Sequence, residues 1–386
     1  SGEPTPAAAG TTETFQVTGL ASGHTYVFRI KSVDAAGNGS AQSNTASGQT
    51  PTESSSYVLV GTESNGVWYS EDGGRSWQES ELSDFRHQVG ILVADPDAPD
   101  VVWASSGIRD WSGQGVTRIY RSQDRGKTFD LVSEPALLTC TGIQALAVQS
   151  AMFLLGTAGY APSADCNGIT GDAGGVFRST DGVSWTNISA GLPKVPSYPS
   201  IAVAVHWVWI DPDNPNRFVI GTDDFDPDVA TNGLFESTDQ GATWAALPIG
   251  AREGLLRVSV YSVGMDPSDP ARAVACTRAG IFLSENRLQS WTRVADAADR
   301  RSVVFDPQDA SIVYVGSNRS TDGGRSWSGW TVPAGVLAGL AIDPATGRIF
   351  AAGFDGVFTS DDNGETWSRR LSQGSATDVL VLGVAQ

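Results

Sequence analysis

The stretch SEDGGRSW at Ser70–Trp77 returns almost unchanged as STDGGRSW at Ser320–Trp327. A word repeated at such separation marks internal repetition, which constrains architecture before any local propensity does. The general form is Ser-x-Asp-x-Gly-x-Ser/Thr-Trp. It recurs as SQDRGKTF (Ser122–Phe129), STDGVSW (Ser179–Trp185, one residue short), STDQGATW (Ser237–Trp244) and SDDNGETW (Ser360–Trp367). SENRLQSW (Ser284–Trp291) is a worn copy, with Asn286 for Asp and Leu288 for Gly, and it brings the copies to seven.

Each copy has a similar run-up. An apolar stretch comes first, then a turn, often Asp-Pro, then a second stretch ending in Gly-Thr or a similar pair, as in VWIDPDNPNRFVIGT and VVFDPQDASIVYVGS. A third short stretch (GVWYS, RIYRS, GVFRS, GLFES, GIFLS, GVFTS) leads into the word, and a fourth begins at its aromatic. Alternation and β-branched residues indicate strands, while Asp-Pro and Asp-Gly indicate turns. Four short antiparallel strands, repeated seven times, predict an all-β fold, a seven-bladed β-propeller over 57–386. The first repeat starts at YVLVGT (Tyr57–Thr62) without an inner strand, and DVLVLGVAQ (Asp378–Gln386) is an inner strand without a continuation. The C-terminal strand is therefore expected to complete the first blade and close the ring, which removes exposed sheet edges.

The repeated word reads as the hairpin turn between the third and fourth strands. Its Asp accepts main-chain N–H groups, its Gly permits positive φ, and its aromatic packs on the neighbouring blade. These words resemble the Asp-box, or BNR, repeats of sialidases, xyloglucanases, sortilin-type receptors and photosystem-assembly propellers. The resemblance covers Tyr57–Gln386. It implies that the boxes lie on the face away from any active site, so their Asp residues are read as structural.

Residues 1–50 resemble the second half of a fibronectin type III module, with Leu20, Gly23 and Tyr26 matching its tyrosine corner. Tyr26, Phe28 and Ile30 alternate with Val27, Arg29 and Lys31, as in a half-buried strand. Such a sandwich takes about 90–100 residues, so this reads as a partial β-sandwich, cut from a longer multidomain chain. Residues 51–56 read as the linker. A monomer is expected.

A net charge of −18 repels phosphate backbones and anionic lipid, which argues against nucleic-acid and membrane partners and leaves neutral glycans open. No apolar run approaches the roughly 20 residues of a membrane-spanning helix. The chain starts at Ser1 with no Met and no charged-then-apolar leader, so it reads as a mature or trimmed product; a secreted, extracellular protein is expected. The three cysteines form no disulfide framework. Cys140 and Cys166 are expected on one face, where a disulfide remains open, and Cys276 in AVACT reads as a buried strand residue.

Loop length carries the functional signal. The connections after the second strand are short in blades one, five, six and seven. They are long in blades two, three and four: SGIRDWSGQGVTR, AGYAPSADCNGITGDAGG and DDFDPDVATNG. Long loops that add nothing to a core commonly serve a site. Trp111 and Tyr160 are suited to stacking on sugar rings, or else they pack their own loops. Arg109, Asp110 and Asp224 can bond hydroxyls, and the neighbouring connections add Tyr198, Arg252 and Glu253.

Glycoside hydrolysis usually takes two carboxylates about 5–9.5 Å apart. Resemblance to the xyloglucanases implies a catalytic Asp just after a second strand, and Asp223 in GTDDFD is the best match. Glu63 and Asp355 hold equivalent blade positions. The Gly-Gly of that family is missing after Asp223, and this chain has one propeller where the xyloglucanases have two. Asp110, Asp224 and Glu253 remain rivals. The expectation is a secreted carbohydrate-active propeller, a glycoside hydrolase acting on a polysaccharide or oligosaccharide in a cleft of blades two to four. The alternatives are a non-catalytic binding or assembly propeller and a polysaccharide lyase using Tyr160, Tyr198 and Arg109. The Arg-Ile-Pro signature of sialidases is absent. No cofactor and no metal is expected. A structural calcium at Asp223, Asp224, Asp226 and Asp228 stays open beside the preferred reading of a solvated acidic loop. His24, His87 and His206 are scattered and form no zinc or triad pattern.

Overall fold

The computed structural model describes residues 25–33, 36–49, 56–82, 89–106, 118–133, 141–159, 174–195, 198–223, 233–249, 258–296, 302–333, 337–372 and 374–382. The chain divides into two units, Ser1–Ser54 and Ser55–Gln386.

In the first unit Thr25–Phe28 pairs antiparallel with Ala46–Gln49, Tyr26 opposite Gly48. Tyr26 and Phe28 are half-buried and Val27 is exposed, as the alternation predicts. Ile30 departs from it: the strand ends at Phe28 and Ile30 is 74% exposed. Leu20 and Gly23 of the fibronectin-like corner lie outside the described residues.

The second unit is a seven-bladed β-propeller, and its ring closes as the sequence predicts. Ala376–Leu382 forms the inner strand of blade one and pairs antiparallel with Tyr57–Thr62, Val379 opposite Val60. Blade four shows the plan: Ala204–Ile210, Phe218–Asp223, Leu234–Ser237 and Ala245–Leu247, in that order from axis to rim. Blade two carries a fifth strand, Glu81–Leu82, parallel to its outer strand, which the repeat pattern did not reveal. A small hairpin of Lys194–Val195 and Tyr198–Ala202 lies between blades three and four.

The core lies between neighbouring blades. Leu154 and Val176 of blade three pack with Val205, Phe218 and Ile220 of blade four, all buried. Strands of this kind are apolar on both faces because each is covered by a blade on either side. Cys276 is a fully buried strand residue, as expected. The recurrent Gly-Thr at the end of the second strand now has a cause. A Cβ on Gly61, Gly156 or Gly221 would stand 3.0, 2.6 or 3.2 Å from the carbonyl oxygen of Val89, Val205 or Val260, so glycine lets the next blade's inner strand approach. The following Thr bonds across the mouth of the next loop. The hydroxyls of Thr62, Thr157, Thr222 and Thr277 donate to the carbonyls of Gly66, Gly175, Gly233 and Gly280 at 2.7–3.2 Å.

Each repeated word is the predicted turn. In blade one Ser76 N–H and Ser76 Oγ donate to the two oxygens of Asp72 at 2.8 and 2.6 Å, and Gly74 N–H donates to Ser70 Oγ at 2.8 Å. Such hydrogen bonds favour the ionised carboxylate. They hold Asp239, Asp322 and Asp362 down to about 2, with the Thr243, Ser326 and Thr366 hydroxyls contributing most. The worn copy keeps the backbone of the others: Leu288, in the place of glycine, has φ of 72° and is fully buried. In other copies the space beside that glycine is filled from the preceding blade, by Leu59 at Gly126 and Val274 at Gly324. In blade five Leu288 fills it from its own side, against Val219 and Trp291.

Candidate functional site

Blade four has two distinct ends. At one, Phe218 stands opposite Ser237, the first residue of the repeated word; at the other, Asp223 stands opposite Ala204. Asp223 therefore lies at the end remote from the box, where the second strand gives way to the long connection. The ends of that connection are clamped. Thr222 N–H donates to Gly233 O, and Gly233 N–H donates to Thr222 Oγ1, both at 2.9 Å. The equivalent threonine of blade one, Thr62, clamps the short connection there, at Gly66. The blade is therefore indifferent to how many residues intervene, in keeping with the slow growth of loop-closure entropy with length.

The Asp223 side chain is fully buried, and its Oδ2 stands 3.8 Å from Nε2 of His206, whose side chain is 14% exposed. This is ion-pair range and beyond hydrogen-bond range. The two come together because His206 is on the inner strand of the same blade, two residues after Ala204. A carboxylate at this range biases the orientation of an imidazole. The histidine is the group of the pair that faces the central cavity.

His206 reaches the cavity through an irregularity shared around the ring. The pairing of the inner strand with the second strand slips at Gly90, Gln144, His206, Tyr261, Ala338 and Thr377. A bulge leaves its extra residue out of the ladder and re-aims the side chain. Four of these residues, Gln144, His206, Tyr261 and Ala338, line a central cavity of about 480 Å³ together with Ser262 and Ser302. Sequence reasoning missed this ring. Its signal is a phase slip in the two-residue alternation, as in AVHWVW and SVYSVGM, and no motif accompanies it.

Of the predicted site residues, Asp223 is the one whose side chain is described. Arg109, Asp110, Trp111, Tyr160, Asp224, Arg252 and Glu253 lie outside the described residues, as do Asp226, Asp228, Cys140 and Cys166. Tyr198 begins the strand Tyr198–Ala202, opposite Val195, and its side chain is not described. Glu63 and Asp355, at the equivalent positions of blades one and seven, are exposed. Among the described residues no group of three or more His, Cys, Asp or Glu could hold a metal ion, and no helix is long and apolar enough to cross a membrane.

Comparison with known proteins agrees with this architecture. The BNR/Asp-box repeat family matches residues 358–369, the third strand and turn of blade seven. A protein of Neosartorya fischeri described as a probable oligoxyloglucan-reducing end-specific xyloglucanase is 32% identical over 140 residues, covering 31% of this chain and 17% of that protein. The oligoxyloglucan-reducing end-specific xyloglucanase of Emericella nidulans is 20% identical over 303 residues, covering 72% of this chain and 33% of its own length. The chain thus spans a third or less of these curated relatives. A solved structure from Bacteroides fragilis, provisionally described as a 6-phosphogluconolactonase, superposes with a TM-score of 0.53 at 12% identity, over 86% of this chain and 99% of that one. At that identity the likeness shows the fold alone.

Proposed function

We propose that this Asp-box propeller is a glycoside hydrolase, secreted, that cleaves a polysaccharide in a cleft walled by the long connections of blades two to four. The observation that carries the reading is the position of Asp223, a carboxylate at the end of the blade remote from the boxes, where the longest connections begin. The xyloglucanase descriptions of the curated relatives support the reaction class. Asp223 supplies one carboxylate of the pair that glycoside hydrolysis takes, and Asp110, Asp224 or Glu253 supplies the other. Trp111, Tyr160 and Tyr198 offer ring faces to the sugar, and Arg109, Arg252 and Asp224 offer partners for hydroxyls. The propeller acts as a monomer within a longer chain, with 1–50 as a fibronectin-like spacer and 51–56 as its linker.

Digestion of a polysaccharide panel by the purified protein tests this. New reducing ends are expected without the ultraviolet absorbance of unsaturated products, and Asp223→Asn lowers the rate by about 100-fold or more, the usual scale of a lost acid–base group. Unsaturated products would replace the hydrolase with a lyase. Retention on a polysaccharide gel without cleavage would leave a binding propeller.

A further inference from the structure

The ring of bulges is not evenly furnished. Three consecutive blades present large polar side chains, Gln144 from blade three, His206 from blade four and Tyr261 from blade five. Three others present small residues at the corresponding place, Ala338, Thr377 and Gly90; in blade six that place is Arg301, outside the described residues, and Ser302 after it lines the cavity. The Thr377 hydroxyl is turned to the carbonyl of Val89. One arc of the channel therefore carries hydrogen-bonding groups and the opposite arc leaves room. We propose that this end of the central channel is a binding site for a single neutral sugar ring, held by Gln144, His206 and Tyr261.

Size, chemistry and charge each narrow the ligand. The cavity of about 480 Å³ falls within the range of about 300–1,000 Å³ common to small-molecule sites. The lining mixes amide, imidazole, phenol and hydroxyl groups with the apolar Ile91, Leu146 and Val208 and the ring of Trp207. That mixture matches a molecule with hydroxyls around its edge and C–H groups on its faces. A purely apolar ligand would strip water from Gln144, Tyr261 and Ser302 without replacing those hydrogen bonds, which is costly. Among the described residues no Lys, Arg, Asp or Glu lines the cavity, and Asp223 stands behind His206. An anionic sugar would thus meet no described lysine or arginine there, in a protein of net charge −18. The site is set by the inner strands alone and does not depend on hydrolysis in the loop cleft.

Calorimetric titration with the methyl pyranosides of glucose, xylose and galactose tests the proposal, with methyl glucuronide as the anionic control. Saturable binding of at least one neutral glycoside is expected. Tyr261→Phe and Gln144→Ala should each weaken it by about 3- to 10-fold, the scale of one lost hydrogen bond. Tyr261→Phe removes a single oxygen, so its fold is expected to persist, and thermal unfolding checks that. Val183→Ala, at an exposed position on the repeated turn of blade three, should leave glycoside affinity unchanged. The proposal is overturned if no neutral glycoside binds saturably. It is also overturned if the channel variants bind the neutral glycosides as tightly as the parent protein, or if the glucuronide binds as tightly as the neutral rings. The outcome is separable from the polysaccharide digest, because a propeller that cleaves nothing can still bind the ring.

Discussion

The Asp378 carboxylate accepts the main-chain N–H of Leu92 at 2.9 Å, which ties the closing strand of the ring to the inner strand of blade two across 286 residues of sequence. The neighbouring Thr377 hydroxyl donates to the carbonyl of Val89. The C-terminal strand thus completes blade one and also fastens it to the next blade. A carboxylate enclosed among inner strands is costly to ionise, and burial pushes Asp378 up to about 6 despite the N–H groups of Leu92 and Val379.

That shift has a definite sign. The folded protein holds the Asp378 proton more tightly than the unfolded chain does, so this group's contribution to stability is lost as pH rises from about 4 to about 6. Two pKa units correspond to about 3 kcal/mol. Asp378→Asn keeps an acceptor for Leu92 N–H and removes the charge. Urea midpoints measured across that window should fall for the parent protein relative to the variant. Parallel profiles would show that closure does not depend on Asp378 ionisation.

The box carboxylates act in the opposite direction and lower on the pH scale. Asp239 is held at about 2 by the side chain and N–H of Thr243 and the Ser237 hydroxyl. It stabilises the fold above the unfolded pKa near 4, and that contribution is lost as pH falls through about 2. Asp239→Asn should flatten the acid limb between those values and leave the slope above pH 5 unchanged. Unfolding monitored by tryptophan fluorescence during acid titration reads both.

Leu288 offers an inverted ranking of substitutions. Leu288→Ala keeps a left-handed residue and empties a buried site, at a cost of about 2–5 kcal/mol. Leu288→Gly empties the same site and also relieves the left-handed strain, worth about 1–2 kcal/mol. Chemical denaturation should therefore find the glycine variant more stable than the alanine variant. The reverse order would place the strain elsewhere in the turn.

Gly156 and Gly329 form a matched pair. A Cβ at Gly156 would meet the Val205 carbonyl at 2.6 Å, whereas one at Gly329 meets nothing within 4 Å. Gly156→Ala should cost about 1–3 kcal/mol by forcing blades three and four apart. Gly329→Ala should stay within about 0.5 kcal/mol. Equal effects would mean that the gap between blades yields readily.

Some of this molecule is legible in eight-residue words. Ser320, Asp322, Gly324 and Ser326 find their partners within the same turn, so the turn can be read wherever the word is written, even in the worn copy at Ser284–Trp291. The missing inner strand before Tyr57 and the unpaired stretch after Asp378 announce the closure. The site is less legible. Asp223 is marked in the sequence only by its place at the end of a second strand, and nothing in the spacing from His206 to Asp223 marks their proximity.

Repeat number, blade boundaries, turn chemistry and ring closure were therefore determined by the sequence itself, since each rests on hydrogen bonds or alternation within a few tens of residues. Which side chains share the central cavity was decided only by the tertiary structure. Gln144, His206 and Tyr261 belong to three different blades, and each is re-aimed by a bulge; those of His206 and Tyr261 follow valines whose carbonyls face Gly156 and Gly221 of the blade before. Their meeting exists only when the ring has closed and the inner strands have been brought to one axis, and the phase slip within each strand does not say which residues of other blades it will face.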